Sequence, residues 1–252
     1  MSRLHGHVAG GSDTKLRSWA RPGHISPGDD LLLHAMLRRV LAPLARMVYR
    51  PVIEGRDRVP RTGPVILAAN HLSFADSIVI PLVAPRPVAF LAKAEYFTGT
   101  SVIGRLSRAF FTAIDAIPVE RGSVRAAQDS LDAARDVLRD GRVFGIYPEG
   151  TRSRDGRIYR GRTGVAWLAL TSGAPVVPVA LIGTDRIQPV GARLPRVRQI
   201  TVRFGEPLCF DALSGVPAAR ARREATDQIM AAIAELSGQE PADAYNDLPA
   251  AA

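Results

Sequence analysis

A chain of 252 residues is long enough for one domain with a full hydrophobic core, whereas it is short for two such domains. Its composition, 46% hydrophobic and 23% charged, excludes a chain that is disordered throughout. The net charge is +9, and all but two of the basic residues are arginines, whose guanidinium groups suit phosphate and carboxylate. We therefore expect an anionic partner: a phosphorylated small molecule, an anionic bilayer surface or nucleic acid.

The cysteine content limits the redox and metal chemistry of the chain. Cys209 is the single cysteine, so an internal disulfide is excluded. No cluster of Cys and His has the spacing of a zinc site. These features predict a reducing, cytosolic setting and no structural metal.

The first 50 residues divide into two parts. Residues 1–29 mix Gly, Ser, Arg, His and Pro without apolar periodicity or the continuous apolar segment of a signal peptide, which predicts a disordered arm. Residues 30–50 carry apolar side chains at helical spacing with arginines between them. This amphipathic helix either packs on the core or lies on a membrane surface, and it carries too much charge to span a bilayer.

Residues 64–70 form the apolar run that predicts a buried strand, and polar residues follow it directly. His71 lies in the turn after this strand, and Asp76 lies five residues later, where a helix is expected to begin. A carboxylate beside an imidazole fixes its tautomer, so the pair suits a general base. The same residues also fit a capped turn with a hydrogen-bonded histidine. The pair His24 and Asp29 has the same spacing but lies in the predicted arm. Because spacing alone does not distinguish the two pairs, we prefer His71, which follows a predicted strand.

The next elements bring a second candidate to a strand end. A strand over 87–92, a short helix over 101–111 and a strand over 114–119 are predicted from their apolar patterns. Arg121 and Gly122 follow the last of these strands. An arginine beside a glycine meets a phosphate with little steric obstruction, although a solvated loop arginine has the same pattern.

A third strand end carries a dense basic run. A helix over 123–139 leads to a strand over 143–147, and the turn Pro-Glu-Gly-Thr-Arg-Ser (148–153) follows. Five arginines lie within eleven positions: Arg152, Arg154, Arg157, Arg160 and Arg162. A nucleic-acid site would have similar charge, but few aromatic residues are interleaved for base stacking, so we do not expect nucleic acid as a partner.

The remaining elements complete an α/β pattern. We expect a helix over 163–172, strands over 176–182 and 200–204, a helix over 217–237, and a disordered tail over 238–252. Pro175 and Pro178 favour an edge or bulged position for the strand over 176–182. The predicted fold is a single α/β domain over 30–237, with a mostly buried mixed β-sheet flanked by helices and preceded by the amphipathic helix.

The strand-end turns occur in an order that resembles a known family. They read Asn-His-Leu-Ser-Phe-Ala-Asp (70–76), Val-Glu-Arg-Gly (119–122) and Pro-Glu-Gly-Thr-Arg-Ser (148–153), followed by Ala-Pro-Val-Val-Pro-Val-Ala (174–180). In this order and at these separations they are similar to the four motifs of the lysophospholipid acyltransferase family, which includes the 1-acylglycerol-3-phosphate acyltransferases. The resemblance covers about residues 50–210. Ile117 departs from it, since the family frequently has Phe there.

The resemblance implies acyl transfer from a thioester, acyl-CoA or acyl carrier protein, to the free hydroxyl of a lysophospholipid. The first acceptor to consider is 1-acylglycerol 3-phosphate; another lysolipid, a thioesterase or a non-catalytic membrane-binding protein are the alternatives. It further implies no cofactor, and attachment to the cytoplasmic face of an anionic membrane as a peripheral or monotopic protein. His71 would be the general base and Asp76 its orienting partner. The residues associated with the acceptor phosphate would be Arg121, Gly122, Glu149, Gly150, Thr151 and Arg152.

Overall fold

The computed structural model describes residues 42–119, 124–187, 189 and 196–247. The predicted arm over 1–29 and residues 30–41 of the amphipathic helix therefore lie outside the described residues, as do Arg121 and Gly122. The described part of that helix, α1, runs over Ala42–Tyr49. In the part of the chain that the structure describes, no helix combines the length and the apolar content needed to cross a bilayer.

Seven strands form one mixed sheet in the order β1-β7-β6-β2-β5-β3-β4. Their bounds are Val52–Glu54 (β1), Val65–Ala69 (β2), Val88–Lys93 (β3), Ala116–Val119 (β4), Val143–Ile146 (β5), Val176–Ile182 (β6) and Thr201–Phe204 (β7). The pair β6 and β7 is antiparallel, and all other neighbours are parallel. The predicted mixed sheet and its strands are confirmed.

Helices cover both faces of the sheet. After α1 they are Asp76–Val83 (α2), Glu95–Thr98 (α3), Val102–Ala113 (α4), Val124–Arg139 (α5), Gly164–Ser172 (α6) and Ala218–Ser237 (α7). Helix α2 packs on one face, in a cluster that includes Val79, Ile80 and Phe90. Helices α5, α6 and α7 pack on the other, around Phe144 and Ile229. This arrangement confirms the α/β class.

Strand β2 lies at the centre of the sheet, and all five of its residues are buried. Val65 and Leu67 face the α2 layer, whereas Ile66 and Ala68 face the opposite layer, so both faces of the strand require apolar side chains. Because β2, β3 and β5 are parallel, their carboxyl ends meet at one edge of the sheet. The turns that follow them are thereby brought together.

The expectation of an edge position for β6 is wrong, because β6 lies between β2 and β7. The alternative expectation, a bulge, agrees with the pairing of β6 with residues 204–208. Val176 lies opposite Leu208, and Val179 lies opposite Phe204. The two pairs are three residues apart along β6 but four residues apart along the partner segment, which therefore contains one extra residue. Pro178 lies within this irregular stretch, where its missing N–H does not interrupt a regular ladder.

Residues 238–247, which the sequence predicts as part of a disordered tail, are hydrogen-bonded to the domain. The Ile158 backbone exchanges hydrogen bonds with this segment: its N–H donates to the Glu240 carbonyl, and its carbonyl accepts from the Ala242 N–H. Gln239 accepts a hydrogen bond from buried Asn70 at 2.7 Å and donates to the Gly156 carbonyl at 2.7 Å. These contacts are made largely by backbone groups, so they require no apolar periodicity in the sequence.

Candidate active site

His71 and Asp76 form a hydrogen-bonded pair at the carboxyl end of β2. The His71 Nδ1 atom lies 2.9 Å from Asp76 Oδ2, the Asp76 side chain is fully buried, and the His71 side chain is 15% exposed. The carboxylate is therefore shielded from water while the outer edge of the imidazole is accessible. An Nδ1–H that donates to Asp76 leaves Nε2 free to accept a proton.

Asp76 is held by the turn that it closes. Its Oδ2 atom accepts hydrogen bonds from the backbone N–H groups of Leu72 at 2.7 Å and Ser73 at 2.8 Å, in addition to the histidine. The turn thus keeps Asp76 as an acceptor and fixes the direction in which the imidazole points.

Tyr147, the first residue after β5, supports the face of the imidazole. The two rings stack with centroids 3.9 Å apart and planes 10° from parallel. The Tyr147 hydroxyl lies 3.1 Å from Ser77 Oγ in α2, and the ring also stacks on Phe90 at 5.5 Å. Burial and the nearby Asp76 charge raise the pKa of Tyr147 well above its usual value, so its hydroxyl stays neutral.

Glu149, which the resemblance associates with the acceptor phosphate, is buried between two turns. Its side chain is 1% exposed, and its two oxygens accept backbone N–H groups: Oε1 from His71 at 3.2 Å and Oε2 from Tyr159 at 3.0 Å. Burial raises its pKa from 4.5 to about 7, against the opposing effect of the two hydrogen bonds. In the structure, Glu149 joins the turn at 148–153 to the His71 turn.

A second contact joins the same two turns. The backbone N–H of Ser153 donates to the His71 carbonyl at 2.7 Å. The His71 backbone is therefore hydrogen-bonded on both sides, to Glu149 through its N–H and to Ser153 through its carbonyl. These bonds tie the imidazole to the arginine-rich turn, although 78 residues separate His71 from Glu149 in the chain.

The pair opens into a cavity of about 490 Å³. One part of the wall is apolar and aromatic and comes from β3, β4, β5, α3, α4 with the residue after it, and the turn before α2. These residues are Phe74, Phe90, Leu91, Ala92, Tyr96, Phe111, Ile114, Ala116, Phe144 and Ile146. Another part is basic, with Lys93 at the end of β3, Arg152 in the turn at 148–153 and Arg162 beyond that turn. The cavity therefore combines a proton acceptor, apolar surface and cationic groups.

Gly150, Thr151 and Arg152 line this cavity. Gly150 has φ of +80°, a conformation that favours glycine. A Cβ atom there would lie 3.0 Å from Nε of Arg162, which packs against the turn. Lys93, Tyr147 and Asp247 also line the cavity and were not among the predicted site residues. The sequence could have indicated Lys93, because it directly follows the predicted strand over 87–92 as His71 follows the strand over 64–70.

No metal centre accompanies this site within the described ranges, where no group of three or more His, Cys, Asp or Glu side chains is placed to hold an ion. Cys209 is exposed and free. The reactive groups available at the cavity are thus an imidazole, a carboxylate, hydroxyls and cationic side chains.

Comparison with known proteins gives the chain's relationships. A family model described as Acyltransferase matches residues 50–182. The chain is 32% identical over 145 residues to 1-acyl-sn-glycerol-3-phosphate acyltransferase BAT2, chloroplastic, of Brassica napus, which covers 57% of this chain and 40% of that protein. It is 30% identical over 134 residues to the 1-acyl-sn-glycerol-3-phosphate acyltransferase of Borreliella burgdorferi, covering 53% of this chain and 52% of that one. The chain thus spans about half or less of these relatives.

A solved structure has the same fold. The crystal structure of PlsC, the 1-acyl-sn-glycerophosphate (LPA) acyltransferase of Thermotoga maritima, aligns with 84% of this chain and 89% of its own, with a TM-score of 0.59. The sequence identity is 22%. This likeness supports the α/β architecture derived above.

Proposed function

The chain belongs to the acyltransferase family, and on that premise we propose that it is an O-acyltransferase that acylates the free hydroxyl of a lysophospholipid. The proposed acceptor is 1-acylglycerol 3-phosphate, which becomes phosphatidate. The donor is a fatty acyl thioester, carried by coenzyme A or acyl carrier protein. The observation that carries the proposal is the His71 and Asp76 pair at the wall of a cavity with apolar and cationic parts.

His71 acts on the acceptor in this proposal. Its Nε2 accepts the proton of the acceptor hydroxyl as the oxygen attacks the thioester carbonyl, and Asp76 stabilises the resulting imidazolium. A new C–O ester bond forms, the C–S bond breaks, and the proton passes from His71 to the departing thiolate. The enzyme needs no nucleophile of its own because the substrate hydroxyl attacks.

The two parts of the cavity suit the two ends of a lysophospholipid. The apolar wall, with Phe90 and Ile114 among its residues, offers a surface for an acyl chain. Lys93, Arg152 and Arg162 offer charge-assisted hydrogen bonds to a phosphate. A ligand held at both ends would keep its hydroxyl near His71, and such positioning lowers the barrier of a two-substrate reaction.

We also propose that the protein attaches peripherally to the cytoplasmic face of an anionic membrane, where its acceptor resides. Helix α1 exposes apolar side chains, among them Met47 at 66% and Leu44 at 48%. Arg46 of α1 donates a hydrogen bond to the Leu82 carbonyl of α2, which fixes this helix to the domain. Apolar side chains beside basic ones are the composition of interfacial helices. Flotation with anionic vesicles tests the attachment, and Met47→Ser with Leu44→Ser should reduce the bound fraction.

The activity is tested with purified protein, labelled acyl thioester and 1-acylglycerol 3-phosphate. His71→Ala should lower the rate of phosphatidate formation by about 10²–10⁴-fold or more, because the general base is lost. His24→Ala is the matched control, since Asp29 gives His24 the same spacing, and its rate should equal that of the wild type. Near-complete activity of the His71→Ala protein would refute the proposal.

A parallel assay without acceptor separates transfer from hydrolysis. The proposal requires acyl product that depends on the acceptor. Thioester consumption with release of free fatty acid and no acylated lipid would identify a thioesterase instead. Binding to lipid without thioester consumption would identify a non-catalytic lipid-binding protein.

A further inference from the structure

Residues 239–247 run along the turn that contributes Arg152 to the cavity. The segment is joined to the chain beneath it by Gln239, which bonds Asn70 and Gly156, and by the backbone N–H of Arg160, which donates to Ala244 at 2.8 Å. Tyr245 then lies under two guanidinium groups, those of Arg160 at 5.3 Å and Arg162 at 5.8 Å. These contacts fix the path of the chain up to the cavity.

The next two residues reach the cavity wall itself. Asn246 is 2% exposed and donates its Nδ2–H to the Arg152 carbonyl at 3.1 Å. Asp247 follows, and its Oδ1 lies 3.0 Å from Nη2 of Arg162. Both Asp247 and Arg162 line the same cavity as His71. The Asp247 carboxylate is therefore paired with the Arg162 guanidinium, which faces the proposed substrate site.

We infer that Arg162 binds the phosphate of the acceptor and that Asp247 is the counter-ion of Arg162 until the phosphate displaces it. The inference rests on the proposed function, since it adds a residue to the acceptor site. Arg162 is rigidly connected to the turn at 148–153, because its backbone N–H donates to the Pro148 carbonyl at 2.8 Å and its side chain packs over Gly150.

The exchange is favourable because the resident ion pair is weak. The side chains of Arg162 and Asp247 are 56% and 78% exposed, so water screens their attraction. A phosphate monoester carries more charge than a carboxylate and offers three oxygens to the planar guanidinium. The ring of Tyr245 supports the Arg162 guanidinium whichever anion it binds.

Neighbouring arginines of the same basic run have other contacts. Arg157 is paired with Asp155 at 2.8 Å, and Arg160 lines a separate pocket formed with α7. The position of Arg162, at the cavity and beside Arg152, therefore distinguishes it from residues of equal charge a few positions away.

The test measures binding rather than turnover. Calorimetry compares a short-chain lysophosphatidate, 1-hexanoylglycerol 3-phosphate, with 1-hexanoylglycerol, which lacks the phosphate. Arg162→Ala should raise the Kd of the phosphorylated ligand about tenfold, and Asp247→Asn should lower it about two- to fivefold. Neither variant should change the binding of 1-hexanoylglycerol. Combining the two variants tests their connection: without Arg162, Asp247→Asn should alter the Kd by less than about twofold.

Two matched controls belong to the same surface. Arg160→Ala removes the other guanidinium over Tyr245, and Asp243→Asn neutralises a carboxylate of the same segment at a position whose φ of +48° asparagine tolerates. Both should leave the Kd unchanged. Circular dichroism spectra like that of the wild type establish that each variant is folded.

An unchanged Kd in Arg162→Ala would overturn the inference, as would an Asp247→Asn effect of equal size with and without Arg162. The latter result would mean that Asp247 acts as a general negative charge. If the binding changes are as expected but the wild type transfers no acyl group, the reaction proposed above fails and this phosphate site stands. If transfer occurs and Arg162→Ala binds normally, the reaction stands and this inference fails.

Discussion

Glu149→Gln should remove a specific part of the pH dependence of stability. The Glu149 carboxyl has a pKa of about 7 in the folded protein, against 4.5 when it is not perturbed, and burial is the main cause. Below 4.5 the group is protonated in both states, and above 7 it is ionised in both. Between these values the folded protein binds the proton and the unfolded chain does not, so the free energy of unfolding falls as pH rises.

The size of this decline follows from the two pKa values. A pKa difference of one corresponds to about 1.4 kcal/mol, so Glu149 alone lowers the free energy of unfolding by about 3 kcal/mol across this interval. Glutamine has no titrating proton and lacks this decline. It also places an NH₂ group against a backbone N–H donor, which costs about 1–3 kcal/mol at every pH. The difference between two pH values therefore isolates the titration from the lost hydrogen bond.

Urea unfolding of both proteins at about pH 5 and about pH 8 gives the required differences. Asp155→Asn is the control. Desolvation raises the pKa of Asp155, but hydrogen bonds from Arg157, Tyr159 and Ser153 together outweigh it and lower the pKa to about 2, so this group stays ionised across the interval. Its variant should decline nearly as the wild type does, because the charge of Asp155 is the smallest of the effects on the pKa of Glu149. An equal decline in wild type and Glu149→Gln would refute the reasoning, since another group would then bind the proton.

Three further changes test the support of the imidazole. Asp76→Asn should lower the transfer rate about 10²-fold or more while the protein stays folded, because a neutral amide does not stabilise the imidazolium; a rate within tenfold of the wild type would contradict the role of the carboxylate. Tyr147→Phe keeps the ring that stacks on His71 and should retain most activity, whereas Tyr147→Leu should lower the rate and shift its pH profile; identical profiles for the two would contradict the stacking argument. Gly145→Ala should lower the melting temperature and the rate together, because its Cβ would lie 2.1 Å from the Phe90 ring and a core overlap costs about 1–3 kcal/mol; an unchanged melting temperature would show that the ring moves freely.

The features that the sequence predicts are those encoded locally. The apolar run of β2 identifies a central strand, and the turn from His71 to Asp76 is contiguous, so the pair could be predicted from spacing and context. The order of the strand-end turns identifies which of two histidine and aspartate pairs to prefer. Helices with clear apolar periodicity, such as Val124–Arg139, are also predicted to within a residue or two.

Features that depend on contacts between distant segments are not predicted in this way. Glu149 lies in a basic motif, so its sequence context suggests an exposed residue that contacts substrate, whereas it is buried by the pairing of β2 with β5. The stacking of Tyr147 on His71 depends on the same pairing. The composition around Asp247 resembles a disordered tail because its order comes from backbone hydrogen bonds to Ile158 and Arg160, which impose no residue type. Arg121 and Gly122 remain predictions.

The turn that closes on Asp76 has an implication for how such a chain can change over time. The proton-transfer pair is built within six consecutive residues and held by two amides of its own loop. The polar rim, by contrast, is assembled from β3, the 148–162 region and residues 246–247. Under the proposed function, mutations in this rim would alter the preferred headgroup while the His71 and Asp76 pair stays intact. Diversification of acceptors without loss of chemistry is then a direct product of this architecture.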